Sequence, residues 1–168
     1  MQTVAVLIED LVEDAEFIYP YYRLLEAGYG VDVLAPHPGT YRGKHGGSFP
    51  AAKAADPADA DGYAAVFIPG GYAPDRLRRS EKVLAFVRAV YGAGRPVVSI
   101  CHGPWVLISA GIVKGKKVTG FKSIRDDLTN AGAVYTGRST ESDGSLITAT
   151  DPSALPEMMR LFLSRLEA

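Results

Sequence analysis

The chain has 168 residues, 47% hydrophobic and 22% charged, with a formal net charge of −1, the balance of an ordinary globular protein of one domain spanning residues 1–168. That charge gives no bulk electrostatic basis for binding nucleic acid or an anionic membrane, and one cysteine cannot form an internal disulfide, which fits a reducing, cytoplasmic compartment. The first residues reach Glu9 and Asp10 without a basic leader or a long apolar run, so neither a signal peptide nor a membrane span is expected.

Val4 to Ile8 reads as a first buried strand. Residues 13–27 turn helical, with Phe17, Tyr21, Leu24 and Leu25 on one face, acidic Glu13, Asp14 and Glu16 in the first turn, and a kink expected at Pro20. Val31 to Ala35 is a second strand. Residues 40–61 are the least regular stretch, predicting a small hairpin around G-K-H-G-G at 43–47 and a surface loop. Ala64 to Ile68 is a third strand, stopped by Pro69-Gly70-Gly71. Ser80 is a candidate N-cap for an amphipathic helix through Val83, Phe86, Val87, Val90 and Tyr91.

Val97, Val98 and Ile100 then form a central strand that stops at Cys101, where Gly103 allows a sharp turn and Pro104 suits a first helical position. The helix through Trp105, Val106 and Ile108 should end at Gly111. Further on the sequence predicts a basic turn at Lys114 to Lys117, a short helix over 124–131 and a brief strand over 133–135. A tight turn at Asp143-Gly144 precedes a strand over 146–149, and a final helix opens at Asp151-Pro152. Strands alternating with helices argue for an α/β, flavodoxin-like three-layer sandwich, a mostly parallel sheet with helices on both faces.

A strand running straight into a helix with a cysteine at the corner is a nucleophile elbow. The thiol there is exposed to unpaired backbone N–H groups, and the helix N-terminus should bring its pKa below the roughly 8.5 of a free cysteine. Cys101 is the candidate nucleophile. In a parallel sheet, ligands bind beyond the carboxyl ends of the strands, so the segments after the first strand, the third strand and the elbow strand should converge. The N–H groups of Gly71 and His102 are the natural oxyanion donors, with Gly70 and Gly103 further candidates for lining the pocket. Glu13 would approach the thiol from the first helix, with Glu9, Asp10 and Glu16 as competitors that periodicity does not separate. His102 reaches the thiol only if the corner turns tightly, because adjacent helical residues point about 100° apart.

The histidines at 37, 45 and 102 show no paired ligand spacing, so no metal is expected, and no Gly-rich nucleotide motif implies a cofactor. A glutamine amidotransferase would need a histidine downstream of position 102. A receiver domain would need an aspartate where Gly70-Gly71 stands.

The segments S-I-C-H-G-P at 99–104, P-G-G-Y-A-P-D-R at 69–76, E-D-A-E-F-I-Y-P at 13–20, K-H-G at 44–46 and I-R-D-D-L-T-N-A-G at 124–132 together resemble the PfpI-type intracellular protease family of the ThiJ/PfpI superfamily. The resemblance implies Cys101 as nucleophile, Glu13 as the carboxyl that contacts it, His102 as the adjacent histidine and Gly71 as the oxyanion glycine. It places Asp75, where relatives usually carry glutamate, as the acid that orients the histidine of a neighbouring subunit, and Phe121 where relatives often carry tyrosine. It also implies homodimers or hexamers without a cofactor, acting on small carbonyl compounds, glycated adducts or peptides. Three functions follow as expectations: a glyoxalase or deglycase, a peptidase whose triad is completed across an interface, and a non-enzymatic oxidation sensor or stress holdase.

Overall fold

A computed structural model describes all 168 residues, Met1 to Ala168. In chain order the elements are β1 (Thr3–Leu7), α1 (Asp14–Glu26), β2 (Gly30–Ala35), β3 (Gly39–Arg42), β4 (Ser48–Ala51), β5 (Lys53–Ala54), β6 (Ala65–Ile68), α2 (Ala73–Leu77) and α3 (Glu81–Gly92). There follow β7 (Val97–Ile100), α4 (Pro104–Ala110), β8 (Lys117–Val118), α5 (Arg125–Asn130), β9 (Val134–Tyr135), β10 (Thr140–Asp143), β11 (Leu146–Ala149) and α6 (Leu155–Glu167).

The sheet runs β10-β11-β7-β6-β1-β2-β5, with every pairing parallel except that of β10 with β11. Its central strands are apolar at successive positions because both faces are covered. Val4, Val6, Phe67, Val98 and Ile147 pack toward Phe17 and Leu24 of α1 and Met158 and Phe162 of α6. Ala5, Leu7, Val66, Ile68 and Val97 pack toward Phe86 and Val87 of α3 and Val106 and Leu107 of α4. This is the expected three-layer α/β sandwich.

Local signals act where the sequence places them. Ser80 Oγ accepts from the Val83 N–H at 3.4 Å and caps α3, while Gly111, at φ 75°, closes α4 in the left-handed region. α1 runs as one helix through Pro20, although Pro20 cannot donate to the Glu16 carbonyl. The expected basic turn is shorter than predicted, since Lys117 and Val118 form β8 and pair with Val134 and Tyr135. The irregular stretch holds the β3–β4 hairpin and the edge strand β5, and strands this short carry almost no periodic signal.

α6 closes one face of the sandwich largely through Phe162, which is fully buried and stacks on Phe67 with ring centroids 6.5 Å apart. Phe162→Ala is expected to cost about 3–5 kcal/mol in denaturant unfolding; a cost below about 1 kcal/mol would show that α6 does not clamp the sheet.

Candidate active site

Because β1, β6 and β7 are neighbours and parallel, the loops leaving their carboxyl ends meet at one edge. Backbone bonds tie them together. Glu13 N–H donates to the Gly70 carbonyl at 3.2 Å and Tyr72 N–H to the Leu11 carbonyl at 2.9 Å. Val12 bridges Gly71 on one side and Gly43 of the β3–β4 turn on the other. The crossing is tight: Leu11 itself sits at φ 65° and Gly71 at φ 76°, and a Cβ on Gly71 would lie 2.4 Å from the Glu13 nitrogen. Glycine is the residue that fits there.

Cys101 sits at the corner between β7 and α4 with φ 61°, in the left-handed region that L-residues seldom occupy. Its N–H donates to the Ala149 carbonyl at 3.0 Å and its carbonyl accepts from Phe121 N–H at 2.9 Å, so β11 and the segment before α5 hold the strained residue in place. The thiol is nearly buried, with 9% of the residue exposed. The N–H groups of Gly71 and His102, the two donors named from the sequence, lie close enough to the sulfur to favour its ionised form.

Two other glycines serve differently. Gly70 N–H donates to Glu16 Oε1 at 2.8 Å and Gly103 N–H to the Ile100 carbonyl at 2.8 Å, so neither donor faces the thiol. Gly103 is instead the residue that lets α4 pack, since a Cβ there would lie 2.4 Å from Ser99 Oγ.

Glu16 is the carboxyl at the thiol, and this corrects the expectation for Glu13. Glu16 is fully buried, its Oε2 has no hydrogen-bond partner in the chain, and it lies with the Cys101 side chain against Gly70, where an added Cβ would come 2.5 Å from Glu16 Oε1 and 2.7 Å from Cys101 Cβ. Glu13 is the N-cap of α1 and turns outward, its Oε2 3.1 Å from Lys44 Nζ and its Oε1 3.0 Å from His45 Nε2. The distinguishing signal is faint but present in the sequence. Glu16 heads the row Glu16, Pro20 and Leu24 on the buried side of α1, whereas Glu13 precedes the helix.

Burial sets the protonation of this pair. Desolvation raises the Glu16 pKa to about 7, with Glu13 adding repulsion and the Gly70 N–H opposing. Desolvation and then the Glu16 carboxylate push the Cys101 thiol up to about 12, against the donors from Gly71 and His102. The low thiol pKa expected from the helix N-terminus is therefore absent in the free chain, because α4 is only 7 residues long and its dipole is weaker than the burial. Two groups that both resist ionisation carry at most one negative charge between them at neutral pH, and it resides on Glu16.

His102 does reach the thiol. Its Nδ1 lies 3.3 Å from Sγ, and its Nε2 lies 3.2 Å from Ser123 Oγ. Its ring stacks on Phe121 at 5.1 Å and meets Trp105 edge-on at 5.0 Å. Burial, helped by the Lys44 charge, lowers its pKa, so the imidazole is neutral at pH 7. The Ser123 hydroxyl can donate to or accept from Nε2 and so serves either tautomer. Asp75 is exposed on α2 and forms no hydrogen bond or ion pair within the chain.

The β3–β4 turn, within the stretch read from sequence as a small hairpin and a surface loop, closes over the site. Asp14 accepts from His45 N–H and Gly47 N–H, each at 2.8 Å, and packs so tightly on Gly43 and Gly47 that a Cβ at either would collide with it. The turn is thereby pinned to α1, and it delivers Lys44 over the Tyr72 ring, 5.2 Å from its centroid. A cavity of about 970 Å³ along the outer face of α1 meets the site's edge at Glu13 and His45. No cluster of three or more His, Cys, Asp or Glu side chains is placed to hold a metal. No helix is long and apolar enough to cross a membrane.

Comparison with known proteins agrees with this fold. Deglycase PfpI of Pyrococcus furiosus is 41% identical over 155 residues, covering 92% of this chain and 93% of that protein. Protein/nucleic acid deglycase 2 of Escherichia coli is 38% identical over 168 residues, covering 98% of each. The crystal structure of a two-domain protein from Anabaena variabilis, with DJ-1/ThiJ/PfpI-like and ferritin-like domains, superposes with a TM-score of 0.97 at 42% identity over 99% of this chain and 48% of that one. The sequence profile of the DJ-1/PfpI family matches residues 2–165, and the chain belongs to that family.

Proposed function

We propose that the protein is a cytoplasmic, cofactor-free enzyme in which Cys101 attacks reactive carbonyls, converting methylglyoxal to lactate or releasing it from glycated adducts. The observation that carries this reading is the buried Glu16 carboxyl against the Cys101 thiol, with the Gly71 and His102 N–H groups beside the sulfur where an oxyanion would develop. Two relatives bear the name deglycase, which points to the same class of carbonyl.

In the proposed reaction Glu16 takes the thiol proton as sulfur bonds to the aldehyde carbon, and the resulting alkoxide lies against the two N–H groups. Neutral His102, with Nδ1 3.3 Å from the sulfur, carries a proton from the first carbon to the second, turning the hemithioacetal into a thioester. Water then cleaves the thioester to a 2-hydroxy acid and restores the thiol. At an early amine adduct, a hemiaminal, the C–N bond breaks and the amine leaves with a proton as sulfur bonds to the same carbon, and the resulting hemithioacetal then follows the same rearrangement and hydrolysis.

A peptidase reading also draws on the Cys101–His102 contact. It needs a carboxylate on His102 Nε2, where this chain supplies Ser123. Asp75 is exposed and available to a second copy, so that activity requires assembly.

Cys101→Ser is expected to abolish lactate formation from methylglyoxal with the thermal transition retained. Cysteine-dependent cleavage of a fluorescent peptide with no lactate formed would instead place the peptidase reading first.

The wild-type kcat/KM for methylglyoxal should rise with pH through about 7, as Glu16 loses its proton and becomes able to accept one. Glu16→Gln should remove that step and lower the rate by roughly 100-fold or more. Stability moves the other way. A carboxyl raised from 4.5 to about 7 on folding binds its proton more tightly in the folded state, so folding loses stability as pH rises through that window. Glu16→Gln should therefore gain on the order of 3 kcal/mol at pH 8 relative to its effect at pH 4. A variant whose stability relative to wild type is the same at both pH values would show that Glu16 ionises freely.

A further inference from the structure

The mechanism above uses Glu16, Cys101 and His102 and leaves the Glu13–Lys44–His45 cluster at the mouth of the site without a role. Glu13 is held at both oxygens, Oε2 by Lys44 at 3.1 Å and Oε1 by His45 at 3.0 Å. Lys44 has a second resting surface in the Tyr72 ring, and its side chain is 32% exposed. Its charge also bears on the interior of the site, at Cys101 and at His102. A cation that touches solvent, an aromatic face and a doubly held carboxylate can exchange partners at low cost, since Glu13 keeps His45 when Lys44 leaves.

We infer that Lys44 is a specificity residue that binds a carboxylate set beside the carbon under attack by Cys101, exchanging Glu13 for the incoming anion. The inference rests on the reading of Cys101 as the nucleophile. It favours electrophiles that carry an acid group next to the reacting carbon over neutral ones of equal size. It also gives the 2-hydroxy acid product a cation to meet as its carboxylate forms at the same carbon. The β3–β4 turn then serves as the arm that presents this cation, and the Asp14 carboxylate that pins the turn fixes its reach.

The test compares alkylation of Cys101 by iodoacetate and by iodoacetamide. The bond chemistry is the same in both, S–C forming as C–I breaks and iodide leaves, and the reagents differ in carboxylate against amide. A change in thiolate population alters both rates equally and cancels in their ratio. For wild type, the ratio of iodoacetate to iodoacetamide rates should exceed that of 2-mercaptoethanol. Lys44→Met should lower the ratio about ten-fold, toward the free thiol, and Lys44→Arg should keep most of it. An unchanged ratio in Lys44→Met, with iodoacetamide still reacting, overturns the inference, as does a wild-type ratio no higher than that of the free thiol. Neither reagent is turned over, so the outcome is separate from the methylglyoxal assay. An enzyme active on methylglyoxal with an unchanged ratio loses the Lys44 role alone, and an inactive chain with the expected shift loses only the proposed reaction.

Discussion

A carboxyl group removed from water and set against a thiol is the constraint on which the site depends. Glu16 is fully buried, and neither it nor Cys101 can ionise there without cost, so the pair carries at most one negative charge where two would repel. The arrangement disfavours folding at neutral pH by the same amount that it raises the carboxyl pKa, and it persists because the surrounding backbone leaves Glu16 nowhere else to go. Gly70 N–H holds one oxygen, and the close packing around Gly70 leaves no room for a side chain between carboxyl and thiol.

The sheet supplies the rigidity that this pair requires. Cys101 holds a left-handed backbone conformation because its N–H and carbonyl are both bonded to other segments, one from β11 and one from the stretch before α5. Leu11 and Gly71 hold theirs through the crossing of the loops after β1 and β6. Strain at Leu11 and Cys101 sits beside the relaxed positive φ of Gly71, and the parallel strands β1, β6 and β7 are what fix these segments in place. His102 can then touch the thiol despite adjacency in sequence, since the corner departs from helical geometry at Cys101.

The sandwich was legible because its signals are local and repeated: buried β-branched runs, amphipathic helices, Ser80 and Gly111 at helix ends. The elbow was legible for the same reason, as strand, cysteine, glycine and proline in succession. What sequence could not resolve depends on contacts between distant segments. Glu13 and Glu16 both lie near the start of α1, and the choice between them is made by Gly70 and by Lys44 and His45, residues from two other loops. The thiol pKa was misjudged because the helix dipole can be read from sequence while burial cannot. Lys44 stands in the K-H-G motif but nothing local places it at the site, and Ser123 carries no local pattern; the one comes from a hairpin pinned by Asp14 and the other from the turn before α5.

The Glu16 proton is open to direct observation by infrared difference spectroscopy across a pH titration, following the carboxylic acid C=O band that Glu16→Gln removes. The geometry predicts that this band disappears with a midpoint near 7 in wild type, and that the midpoint moves in Cys101→Ala. A midpoint in the ordinary glutamate range of about 4.3, unchanged by loss of the thiol, would contradict the account at its centre.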